Sequence, residues 1–149
     1  MQTLSMPPVA SPMPRWLLVV SFLGILWNVY GVYQYAGTFT KAGQVAMTAG
    51  MTDAQAAVYL SLPSWVSVVF AVGVFGGLVG SIAMALRRNI AGRALVASLA
   101  GYILLFAADA YYGVFAAIPS QLAILAFVVL VAAALLWTSR LANLRGLLR

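Results

Sequence analysis

The sequence predicts an all-α polytopic membrane protein: four transmembrane helices in an antiparallel bundle, with both termini cytoplasmic. Three observations carry that prediction. Of 149 residues, 64% are hydrophobic and 7% charged, against about 25% charged in soluble domains, so the outer surface must face lipid. The apolar residues gather into four runs, each long enough to cross about 30 Å of hydrocarbon at about 1.5 Å per helical residue. The basic residues stand at the ends of those runs rather than along a soluble face.

Residues 1–14, "MQTLSMPPVASPMP", carry no charged side chain and read as a disordered cytoplasmic tail, with Met13 an alternative start. The first span covers about residues 16–38, "WLLVVSFLGILWNVYGVYQYAGT". It is too long for a signal-peptide core of about 7–15 residues. Residues 39–62 are the longest polar segment. Within them Thr52 precedes Gln55 by three positions, the spacing of a capping box, and Asp53 falls where a negative charge suits the helix dipole. A short amphipathic helix from about Asp53 to Leu60 follows, on the membrane surface or capping the bundle, and Pro63 ends it. The second span covers about residues 63–86, the third about 91–115 and the fourth about 120–139. With its spans and loops the membrane domain occupies 15–139, and 140–149, "RLANLRGLLR", forms a basic cytoplasmic tail.

Orientation follows from charge. With the N-terminus inside, Arg15, Arg87, Arg88, Arg93, Arg140, Arg145 and Arg149 all lie inside, leaving Lys41 outside. The opposite orientation violates the positive-inside rule. Trp16 and Trp137 then mark the inner interface, and Tyr35, Tyr59, Trp65, Tyr111 and Tyr112 the outer one. The expected location is a bacterial inner membrane.

Composition also bears on chemistry. The chain has no His, no Cys and two acidic residues, so nearly every general acid, general base and metal ligand is missing. No catalytic residue, metal site or cofactor is expected. The net charge of +6 is explained by topology and not by a nucleic-acid-binding face.

The polar and small residues inside the spans are the candidate sites. Gly73, Gly77 and Ser81 recur at every fourth position of the second span, with Gly76 and Gly80 on the adjacent row. This pattern lets helix backbones approach closely, either within the bundle or across a homodimer seam. On the first span Gly24, Asn28, Gly31 and Tyr35 share a face, which suits a neighbouring helix hydrogen-bonded to Asn28 or a solute. On the third, Ser98, Tyr102, Asp109, Tyr112 and Gly113 lie on or near one stripe. Asp109 is about 10 Å inside the outer end by helical rise, and a carboxylate at that depth should face the bundle or a water-filled cavity. Antiparallel packing brings it level with residues 28–34, so Gly31 and Tyr35 are expected opposite. The choice is between a hydrogen-bonded structural carboxylate, one reaching outer water, and a protonatable group in a polar pocket. Arg87, Arg88 and Arg93 set topology and are placed to meet anionic headgroups.

The stretches "WNVYGVYQY", "MTDAQAAVY", "LPSW", "VFGGLVGS" and "LRRN", in that order and spacing, resemble a family of small four-helix bacterial inner-membrane proteins often loosely labelled "sugar transporter". The resemblance spans roughly Trp16 to Trp137. Family members usually carry Pro-Glu where this chain has Asp53-Ala54. The label implies no sugar site, because the several carboxylates, amides and aromatics needed to hold a sugar are scarce in this chain.

The function expected first is an accessory or structural subunit, packing through its helix faces against lipid or a larger membrane complex. The alternative is a transporter or channel for a small solute or protons, working as a homo-oligomer around Asp109.

Overall fold

Four helices in the computed structural model are long and apolar enough to cross a bilayer, and they pack against one another. The structure describes residues 12–149, and among these the chain is helical, with no strand. The elements are α1 (Arg15–Gly37), α2 (Lys41–Met47), α3 (Asp53–Leu60), α4 (Ser64–Ala85), α5 (Ile90–Tyr111), α6 (Val114–Ala117) and α7 (Pro119–Leu144). The long helices α1, α4, α5 and α7 hold 23, 22, 22 and 26 residues, about 33–39 Å of helix, which spans the hydrocarbon with some tilt. Around the bundle they run α1–α4–α5–α7, and α1 meets α7 lightly where the ring closes. Phe22, Leu26, Leu104, Leu130 and Trp137 are among the large side chains left on the outside, which suits a hydrocarbon solvent.

Up-and-down connectivity puts Pro14, the α4–α5 turn and residues 145–149 at one end, the terminal end. The opposite, loop end carries α2, α3 and α6. Glycine decides several of the boundaries. The third span was expected to reach Phe115, but α5 stops at Tyr111 because Gly113 turns left-handed at φ 73°. The fourth was expected to stop near Ser139, yet "RLANL" contains no breaker and α7 runs on to Leu144. There the N–H groups of Gly146 and Leu147 bond the carbonyls of Asn143 and Ala142, each at 2.9 Å, in a Schellman turn. The same turn ends α4 with a non-glycine, Arg87, at φ 58°.

Residues 140–149 therefore close the terminal end instead of trailing from it. Leu148 is buried in a cluster with Leu17, Met84, Leu95 and Ala142. The Arg149 N–H donates to the Arg87 carbonyl at 2.7 Å, and the Asn89 N–H donates to the Arg149 carbonyl at 2.8 Å. Arg87 Nε adds a bond to the Leu147 carbonyl at 2.9 Å. Of the tail expected over 1–14, residues 1–11 lie outside the described residues, while Met13 packs against this same cluster.

The small-residue rows are filled from within the chain. A Cβ on Gly101 would lie 2.7 Å from the Gly73 nitrogen and 3.0 Å from the Val69 carbonyl, so α4 and α5 touch backbone to backbone. Ser98 Oγ reinforces the contact by donating to the Gly73 carbonyl at 2.6 Å. Gly76 and Gly80 also face α5, whereas Gly77 faces Asn28 and Ser81 faces Gly24, both on α1. Asn28 itself donates to the Gly24 carbonyl of its own helix at 2.8 Å. The expected interhelical hydrogen bond is thus replaced by close packing of the amide against a glycine.

The loop helices differ in how far the sequence disclosed them. The capping box at Thr52 and Gln55 forms as expected and opens α3 at Asp53. The segment before it was read as loop, but it forms α2, capped by Thr40 Oγ1, which accepts from the Gly43 N–H at 3.0 Å. A seven-residue helix with an internal glycine has little propensity to announce it.

Candidate functional site

Asp109 shares a face of α5 with Leu105 and Tyr102, four and seven residues earlier. That face looks into the loop half of the bundle. Asp109 is 5% exposed, and its Oδ1 has no hydrogen-bond partner among the described residues. It borders a cavity of about 770 Å³, within the usual range of about 300–1,000 Å³ for small-molecule sites.

Each long helix supplies one wall. α1 contributes Trp27, Gly31 and Gln34; α4 contributes Val66 and Phe70. α7 contributes Gln121, Leu125 and Val128, again spaced to fall on one helical face. The light α1–α7 contact leaves this side loosely closed, with Trp27 meeting Phe127 edge-on at 5.6 Å.

The roof comes from α2 and α3 and is pinned by amides. Gln55 Oε1 accepts from the Thr52 N–H at 3.0 Å, while its Nε2 donates to the Ala117 carbonyl at 2.8 Å. One side chain thus completes the capping box and ties α3 to α6. Gln44 Nε2 donates to the Thr38 carbonyl at 2.9 Å, bracing α2 against the end of α1. Tyr59 hangs from this roof. Burial pushes its phenol above the ordinary range, the nearby Asp109 carboxylate adds to the rise, and a hydrogen bond with Gln121 partly offsets both. Three separate elements therefore bring Tyr59, Asp109 and Gln121 together.

No protein-family model, curated protein or solved structure matches the chain.

The structure sorts the polar intramembrane candidates sharply. Asp109 lines the cavity; Asn28, Tyr35 and Tyr112 do not. Asn28 is buried against Gly77. Tyr35 turns toward α4 and packs edge-on with Phe39, Phe70 and Phe75 at 5.0, 5.8 and 5.7 Å. Tyr112 lies outside with Tyr111 and Trp65 at ring distances of 5.1 and 6.3 Å. The expected depth of Asp109 was too great: α5 ends at Tyr111, so the carboxylate stands in its last turn rather than about 10 Å inside the helix end. Gly31 lines the cavity with it, and Tyr35 does not. The polar stripe facing the cavity is Trp27–Gly31–Gln34, one residue around from Asn28–Tyr35. Among the packing candidates, Gly24 meets Ser81 and Leu135, and Gly31 meets Val74. Arg88 and Arg93 are exposed at the terminal end, and Arg87 is engaged by the residue 147–149 segment.

Gln121, Gln44 and the cavity-facing roles of Gln55 and Tyr59 escaped sequence reasoning. A signal was present for Gln121, which falls in the first turn of an apolar helix on the loop side, where an amide must find water, a partner or a ligand. Chemically the site offers one carboxylate, several amides and a set of aromatic rings. The described residues hold no group of His, Cys, Asp or Glu that could bind a metal.

Proposed function

We propose that the protein is a non-catalytic, small-solute-binding membrane protein of a bacterial inner membrane. Both termini lie in the cytoplasm and the cavity opens toward the outside. The single observation that carries this reading is the cavity of about 770 Å³ with a buried carboxylate in its wall whose Oδ1 has no partner among the described residues. A buried polar group without a partner costs free energy, and such a group facing a roomy site points to a ligand or water as its partner. The crowding of arginines at the terminal end supports the orientation. Transport would require the terminal half, filled by Leu17, Met84, Leu95 and Leu148, to open. The glycine rows that favoured an accessory subunit are occupied by α1 and α5 and offer no free seam to an outside partner.

The test is thermal unfolding of the purified chain in nanodiscs against a library of small solutes. A binding solute at about 100 times its Kd should stabilise the protein by about 2.7 kcal/mol. That shift should vanish in Ser67→Phe, which fills the cavity from α4. Stoichiometric co-purification of a larger assembly, with no solute shifting the unfolding, would return the protein to the accessory class. A C-terminal fluorescent fusion should light up in the cytoplasm, whereas an active C-terminal alkaline-phosphatase fusion would overturn the orientation.

A further inference from the structure

We infer that the ligand is an organic cation, an ammonium or similar onium group carrying an apolar body, with Asp109 as its counter-charge. The inference rests on the cavity being the working site and adds the class of molecule it takes. Asp109 is the sole charged residue among those lining the cavity, and it is acidic. No Lys or Arg lines the wall, so the carboxylate lacks an internal counter-ion and an anion would find no opposite charge and one like charge. An unpaired carboxylate in a mostly apolar site is costly, and an incoming positive charge supplies what the chain does not.

The rest of the lining narrows the class. Trp27, Tyr30, Tyr59, Phe70 and Tyr102 place five aromatic rings around the space. Ring faces attract cations, and aromatic cages are the recurrent way of holding quaternary ammonium groups. A bare metal ion fits poorly, because hard divalent cations need about six to eight oxygen ligands and the site has one carboxylate. A sugar fits poorly too. Gln44 and Gln55 already spend their amides on Thr38, Thr52 and Ala117, and Gln121 is engaged by Tyr59. That leaves Gln34 as the amide free to read its hydroxyls. The volume of about 770 Å³ exceeds a small ammonium ion and leaves room for an apolar substituent against Leu105, Leu125 and Val128.

The experiment uses the full chain in detergent with radiolabelled benzyltrimethylammonium and the bulkier tetraphenylphosphonium as probes. Competitors are neopentylbenzene (the neutral carbon isostere of the first probe), benzenesulfonate and glucose. At least one of the two cations should bind saturably, and each competitor should displace it at least tenfold less well than unlabelled cation. Asp109→Asn should weaken cation binding at least tenfold, while Asp109→Glu, which keeps the charge, should retain most of it. Both variants are checked for a native elution profile and helix content. Equal competition by the neutral isostere, or unchanged affinity in a folded Asp109→Asn, would overturn the cation assignment. If a neutral solute binds in a Ser67→Phe-sensitive way and neither cation does, solute binding stands and the cation falls. If nothing binds saturably, both fall.

Discussion

The two halves of this bundle use the same four helices to opposite ends. Toward the termini, Leu17, Met84 and Leu95 are essentially sealed from solvent, and the turned-back segment carrying Leu148 closes the remaining gap. Toward the loops, Trp27, Phe70 and Tyr102 line a space between the same helices that is roofed but not filled. In lipid there is little hydrophobic drive between helices, so close packing and satisfied polar groups do most of the work. The terminal half follows that rule, although the hydroxyls of Ser81 and Ser139 have no partner among the described residues. A neutral hydroxyl left unpaired is a modest cost; an unpaired carboxylate is a larger one. On the proposed solute-binding reading, the ligand meets the larger cost, and the hollow half is the working one.

The contrast can be broken or sharpened by substitution, and the largest effect should come from the seam both halves share. Gly101→Leu pushes a side chain into the backbone of α4 at Gly73 and Val69, where neither side can yield. It should cost about 3 kcal/mol or more, read as loss of a monodisperse folded species. A well-folded Gly101→Leu would mean the α4–α5 contact is looser than described. Next, one chemical change can be compared across the halves. Leu95→Ala, in the filled half, should cost about 3–4 kcal/mol in reversible unfolding from mixed micelles. Leu125→Ala, already at the edge of a cavity, should cost about 2 kcal/mol. Equal losses would show the loop half to be as tightly filled as the other.

Smaller effects probe the roof. Gln55→Ala removes the reciprocal half of the capping box and the tie to Ala117, and should cost about 1–2 kcal/mol. It should also speed hydrogen exchange in α3 and α6 while leaving the terminal half unchanged. The smallest effect is a pH dependence. Tyr59 has its phenol raised above the ordinary 10.0 by burial and by Asp109, so between the unfolded and folded values the folded state holds the proton more tightly. Stability should therefore fall as pH climbs above about 10. Tyr59→Phe should flatten that slope, and an identical alkaline profile would place the phenol in water.

How much of this was legible in the sequence differs between the halves in the same way. Spans, capping box and antiparallel order follow from composition, hydropathy and local hydrogen-bond chemistry, which act over a few residues. Helix ends set by Gly113 and Gly146 were missed by a few positions because hydropathy does not stop where a left-handed glycine does. The site was half legible. Asp109 stood out by its cost in lipid, but its neighbours did not, since rotating a helix by one residue exchanges Trp27–Gly31–Gln34 for Asn28–Tyr35. Gly24 and Asn28 pointed to a neighbouring helix hydrogen-bonded to the amide, or to a solute, whereas that polar group is satisfied within α1. Gln55, legible as a cap, holds the roof through a partner 62 positions away, and no local pattern announces such a contact.

Because the chain has no cysteine, single substitutions can report directly on which half is hollow. Gln34→Cys and Gln121→Cys, on the adjoining α1 and α7 walls of the cavity, and Leu95→Cys, in the filled half, are exposed to a membrane-impermeant maleimide added outside intact cells. Rapid labelling of the first two with full protection of the third is the predicted result. Protection of Gln34→Cys and Gln121→Cys equal to that of Leu95→Cys would contradict an outward-open cavity and the binding function built on it.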